Sequence, residues 1–145
     1  SVELSAGPFT FRVPNPPARQ RAIAQHDVHH VLTGYGTDLV GEAEVGAWEL
    51  RAGCTTPFLY FINLTALVVG VLLAPRRVAR AWRRGRGQST LYRAGLGAGE
   101  VASLSIGELR SRLGLPPRGL ADRPPARHAK APRGGPGAEP RPRCA

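Results

Sequence analysis

The sequence predicts an all-α protein: a compact multi-helix domain with an extended N-terminal arm and a disordered, Pro/Arg-rich C-terminal tail. Three features point to it. Apolar residues between Pro17 and Leu113 recur at helical spacing. Punctuating residues such as Gly34, Gly36, Gly53, Pro75, Gly85 and Gly87 fall between those runs, where helices should stop or restart. From Pro116 to Ala145 too few large apolar side chains remain to build a core. The expected organisation is an arm over residues 1–16, a helical domain over 17–115 and a basic tail over 116–145.

Each element has its own signal. Pro14-Asn15-Pro16-Pro17 punctuates the start, and Phe9, Phe11 and Val13 alternate before it as a short strand or arm would. A helix from Pro17 to Thr33 tolerates proline in its first turn and ends at Gly34. Thr37 or Asp38 can cap a second helix that runs to Ala52 and stops at Gly53. Thr56-Pro57 is a cap and first-turn pair for a third, apolar from Phe58 to Ala74 except at Asn63 and Thr65. Pro75 restarts the chain as a basic helix to Arg84, with Val78, Ala79 and Trp82 interleaved. Ser105-Ile106-Gly107-Glu108 spells a capping box, flanked by Leu104 and Leu109 as a hydrophobic staple, for a last helix ending at Leu113-Gly114.

Composition removes several classes. Glycine and proline total 32 residues with no three-residue period, which excludes a collagen-like rod. The two cysteines, Cys54 and Cys144, form no Cys-x-x-Cys pair, so neither a disulfide framework nor a cysteine zinc site is expected. No charged segment followed by an apolar one opens the chain, so no signal peptide is expected. Net charge is +10, and about half of the excess lies from Pro116 onward. In the part before it, Arg76, Arg77, Arg80, Arg83, Arg84 and Arg86 form one dense cluster. Such a cluster attracts phosphates, of nucleic acid or of anionic lipid headgroups. No recognition motif favours specific nucleic-acid binding.

Chemistry concentrates in His26-Asp27-Val28-His29-His30. His26 and His30 lie one helical turn apart on one face, with Asp27 beside them. If the Gly34–Thr37 linker folds the first two helices antiparallel, Glu42 returns level with the histidines. Two imidazoles and two carboxylates form a set that suits zinc, or iron or manganese where positions stay open. The same residues also fit a solvated helix end, with Asp27 paired to Arg19 or Arg21. His29 is expected to point to solvent, Asp38 to cap, and Glu49 to support Glu42 or to be merely polar. An HD phosphohydrolase needs an upstream histidine that is missing here, and no Gly-x-Ser-x-Gly elbow or phosphate-cradling Gly-x-x-x-x-Gly-Lys occurs.

His26-Asp27-x-x-His30, eleven residues and Glu42 resemble the signature of the ubiquinone (coenzyme Q) biosynthesis protein 4 family. Leu32-Thr33-Gly34-Tyr35 and Gly41-Glu42 are similar to its flanks, and Glu108 to Gly114 resembles its C-terminal helix, although Gly99-Glu100 stands where the family carries Trp-Glu. The likeness covers about Arg21 to Leu115. It implies a helical, membrane-associated protein that holds a divalent metal, zinc first, through His26, Asp27, His30 and Glu42. It also implies a bound prenylated lipid or quinone precursor, oxidative decarboxylation of the ring, and contact with other biosynthetic enzymes or further copies. A carrier or scaffold with a structural metal is the non-catalytic alternative.

The uncharged stretch from Ala52 to Pro75 bears on location. As a helix, Phe58 to Ala74 extends about 25 Å, short of the roughly 30 Å hydrocarbon thickness. A buried or lipid-lining helix is therefore expected in preference to a membrane span. Arg76, Arg77 and Arg80 next to it are candidates for a lipid headgroup or phosphate, placing the protein on an anionic membrane surface, the cytoplasmic face of a bacterial inner membrane.

Overall fold

Side-chain caps open three of the helices in the computed structural model, which describes residues 2–6, 9–13 and 16–122. Among the described residues there are seven helices: α1 Pro17–Thr33, α2 Leu39–Ala52, α3 Pro57–Leu73, α4 Pro75–Arg84, α5 Leu91–Ala94, α6 Ala98–Ser103 and α7 Ile106–Leu113. The domain is all-α. Ahead of it, β1 (Val2–Ala6) and β2 (Phe9–Val13) pair antiparallel, with Val2 opposite Val13. Residues 1, 7–8 and 14–15 of the expected arm, and residues 123–145 of the expected disordered tail, lie outside the described residues.

Asp38 accepts a hydrogen bond from the Gly41 amide at 2.9 Å, and Thr56 accepts one from the Leu59 amide at 3.3 Å. The capping box at α7 is complete: Ser105 accepts from the Glu108 amide at 3.3 Å, and Glu108 accepts from the Ser105 amide at 2.8 Å. Gly34 closes α1 at φ +80°, a left-handed conformation that glycine adopts without strain. Ala74 breaks α3 from α4, and Pro75 opens α4 where a missing amide costs nothing.

Helix α2 is the centre of the fold, with α3 and α4 packed along it. Trp48, Val45 and Ala47 from α2 meet Leu32, Val78, Leu91 and Leu113 in one core. Close approach depends on small residues. A Cβ at Gly70 would stand 2.2 Å from that of Ala43, and one at Gly46 would stand 3.3 Å from Asn63. Helix α3 therefore turns Gly70 and Asn63 inward and its bulk outward: Phe61 is 71% exposed and Leu72 80%. Of the expected buried or lipid-lining helix, burial is corrected for most of α3, where Leu59, Asn63 and Gly70 alone are buried, because a seam of small residues leaves little room for large ones. Among the described residues, no helix is long and apolar enough to cross a membrane.

Two further expectations change. Helices α5 and α6 fall between Arg84 and Ser105, where the sequence announces no element; α5 is anchored by distant partners, with Thr90 donating to the Gly53 carbonyl at 2.6 Å. Packing also continues past Leu115. Leu120 is buried, and the amides of Leu120 and Ala121 donate to the Thr33 carbonyl at 2.6 and 3.0 Å. Arg110 donates to the Leu32 and Val31 carbonyls at 2.9 and 3.1 Å. The last carbonyls of α1 lack partners within the helix, so this segment supplies donors and belongs to the domain as far as Asp122.

Gly70→Ala is expected to destabilise the fold by about 1–3 kcal/mol in urea unfolding, overpacking outweighing the gain in helix propensity. Gly107→Ala, with nothing within 4 Å of the added carbon, should be neutral or stabilising in the same assay.

Candidate metal centre

The last two turns of α1 face the first half of α2, which brings His26, His30 and Glu42 together. The Nε2 atoms of His26 and His30 are 3.1 Å apart. The Glu42 carboxylate stands 3.1 Å from Nε2 of His26 and 3.2 Å from Nε2 of His30. These two contacts are made by different oxygens, Oε2 to His26 and Oε1 to His30, and one ligand atom from each residue lies within 4.8 Å of the others. A tetrahedral ion with bonds of about 2.0–2.1 Å needs separations of about 3.3 Å, so it would draw a single oxygen toward both imidazoles. Two imidazoles and one carboxylate on one side of an ion also leave positions for exogenous ligands.

Both imidazoles are oriented from behind. Nδ1 of His26 faces Glu49 Oε1 at 2.9 Å, and Nδ1 of His30 faces the Tyr35 carbonyl at 3.4 Å. Once the imidazoles are neutral, as metal binding requires, a proton held on each Nδ1 leaves each Nε2 lone pair directed at the centre. His30 is almost fully buried, His26 partly so, and Glu42 is 41% exposed, so the open side of the centre is at Glu42.

Behind the triad lies a buried network the sequence did not announce. Glu49 is completely buried. Its Oε1 accepts from Nδ1 of His26 at 2.9 Å, from Nδ1 of His29 at 2.6 Å and from the Tyr92 hydroxyl at 3.0 Å. Its Oε2 accepts from the Asn63 amide at 2.6 Å, and the same amide donates to the Cys54 sulfur at 3.3 Å. Burial alone would raise the Glu49 carboxyl, but the hydrogen bonds from His26 and His29, with the charge of His26, prevail and hold it at about 2. His26 is likewise disfavoured as a cation by burial, yet Glu49 and Glu42 together raise it to about 9. Burial keeps His29 neutral, lowered from its ordinary value. Its Nε2 accepts the Leu91 amide at 2.9 Å, which fixes the tautomer that donates to Glu49. Burial and the Glu49 charge push the Tyr92 hydroxyl upward, so it stays a donor. Burial likewise pushes the Cys54 thiol up, to about 11.

Several expected roles shift accordingly. Asp27 is exposed and is not among the ligand atoms that converge, because one helix position from His26 turns it about 100° away. His29, expected at the surface, is fully buried. Glu49 is the partner of three α1 and α5 side chains, and its place two turns after Glu42 on α2 was the signal for it. Asp38 caps, as expected. Of the three arginines expected at a headgroup, Arg77 forks onto Glu44 at 2.6 and 3.1 Å, Arg80 pairs with Asp122, and Arg76 is exposed.

Beside the centre lies a cavity of about 300 Å3 lined by Leu39, Glu42, Phe61, Ile62, Thr65, Ala66 and Val69. Glu42 is the one ionisable group in that lining. No protein-family profile, curated protein or solved structure matches the chain.

Glu49→Gln is expected to cost about 3 kcal/mol in urea unfolding, since an amide brings its own donor against the donors already there. Tyr92→Phe, which removes one donor of four, should cost about 1 kcal/mol in the same measurement.

Proposed function

We propose that the chain is a membrane-associated protein of the ubiquinone-biosynthesis type, binding a divalent metal, zinc first, beside a prenylated quinone precursor. The observation that carries this is the double position of Glu42, which joins the two imidazoles and also lines the apolar cavity. An aromatic ring carrying an oxygen function has a place there: its oxygen at the triad, its ring and first apolar carbons against Phe61, Ile62 and Val69. A cavity of about 150 Å3 holds benzene, so 300 Å3 takes a ring and the start of a chain.

A bound divalent ion would supply Lewis acidity, polarising a carboxylate or phenolate oxygen as carbon dioxide is lost. The chain's own residues bind and orient. Glu49 fixes the ring plane of His26 through Nδ1, and the Tyr35 carbonyl does the same for His30. Leu39, Phe61 and Val69 give one side of Glu42 an apolar surround. The outward apolar side of α3, from Phe61 to Leu72, and the adjacent arginines of α4 suit a bilayer of anionic lipid, into which a prenyl tail would extend.

A second reading is favoured by the fact that the donors come from different helices, two from α1 and one from α2. The metal would then clamp the helices of a prenyl-lipid carrier or scaffold that serves other biosynthetic enzymes. Elemental analysis of the purified chain should find about one divalent ion per molecule, lost from His30→Ala. Glu42→Gln separates the two readings. Loss of turnover on a prenylated aromatic acid with lipid still bound supports catalysis; a lowered melting temperature with lipid retained supports the clamp. A metal-free wild-type chain with no co-purifying lipid would sink both.

A further inference from the structure

The arginines around α4 divide into two groups. Arg77 is paired with Glu44, and Arg80 and Arg84 with Asp122. Arg83 and Arg86, with Arg51 from α2, instead line a second cavity of about 300 Å3 whose fourth wall is Trp82. None of these residues lines the Glu42 cavity. Among the described residues, none of the three arginines has a carboxylate partner.

The cavity is built by the packing of α2 on α4. A Cβ at Gly85 would stand 2.9 Å from that of Arg51 and 3.0 Å from the Trp48 carbonyl, so the glycine is what lets Arg51 come in beside α4. The Arg51 guanidinium lies 5.7 Å from the Trp82 ring centre, a cation–π distance that orients it. Arg83 is tied through Nε to the Ala79 carbonyl at 3.3 Å, which leaves both terminal nitrogens free to donate. Three cations held within one small concavity repel each other until an anion joins them. A carboxylate carries one charge and is matched by one fork, whereas a phosphate group offers up to two charges and three terminal oxygens.

We infer that the cleft formed by Arg51, Trp82, Arg83 and Arg86 is a binding site for a phosphate group, carried by a free phosphomonoester or diphosphate or by the headgroup of a phosphomonoester lipid. It does not depend on the metal centre. Two probes distinguish the sources: inorganic pyrophosphate, titrated by calorimetry into the full chain, and phosphatidylcholine vesicles with and without phosphatidic acid, assayed by co-sedimentation.

Saturable pyrophosphate binding is expected, weakened about tenfold or more by Arg83→Ala/Arg86→Ala and changed less than about twofold by Arg76→Ala or by Glu42→Ala. Cleft-dependent binding to phosphatidic acid vesicles without pyrophosphate binding would assign the same site to a lipid headgroup. The inference fails if neither probe binds, if Arg76→Ala weakens binding as much as the cleft pair does, or if Glu42→Ala abolishes it, since the phosphate would then sit at the metal triad. It fails too if single-stranded RNA binds the cleft more tightly than either probe. Circular dichroism of the double variant, expected to match wild type, separates loss of the site from loss of the fold.

Discussion

A carboxylate withdrawn completely from water must be surrounded by donors, and Glu49 is such a carboxylate. Its partners come from three other elements: His26 and His29 on α1, Asn63 on α3 and Tyr92 on α5. Few other interactions join so many parts of the domain. Satisfying Glu49 fixes the rotation of α1 about its axis, because His26 and His29 can both reach it only when that face meets α2. The same rotation delivers His30 to Glu42. The cluster of His26, His30 and Glu42 is thus assembled from behind, with a burial requirement setting its geometry.

The seam between α2 and α3 has the opposite character. Ala43 and Gly46 face Gly70, Ala66 and Asn63 so closely that little but backbone separates the helices. Large apolar side chains are consequently left on the outer side of α3. In a globular helix the bulky stripe ordinarily turns inward. Here the small stripe does, and large apolar side chains such as Phe61 and Leu72 stay exposed. The cavity next to Glu42 is the edge of that surface, so one carboxylate borders both the two imidazoles and an apolar lining.

Composition presents the α4 arginines as one cationic patch, while the fold separates them by what they face. Glu44 and Asp122 neutralise Arg77, Arg80 and Arg84, and in doing so pin α4 to α2 and to the segment after α7. Asp122 lies in a stretch whose proline and arginine content reads as tail. Its role follows from Leu120, which is buried, and from the open carbonyls at the end of α1.

The sequence by itself determined whatever depends on neighbours a few residues away. The caps at Asp38, Thr56 and Ser105, the stops at Gly34 and Gly114, and the one-turn spacing of His26 and His30 all belong here, because a helix end satisfies its amides with the nearest side chain. Glu42 was legible too, since a short linker returns α2 beside α1. Only the tertiary structure decided that Glu49 would be the buried hub, that His29 would turn inward to the Leu91 amide 62 residues away, and that Asp27 would be left outside. Those outcomes depend on which helix face is covered, and coverage is set by side chains distant in the chain that no local pattern encodes.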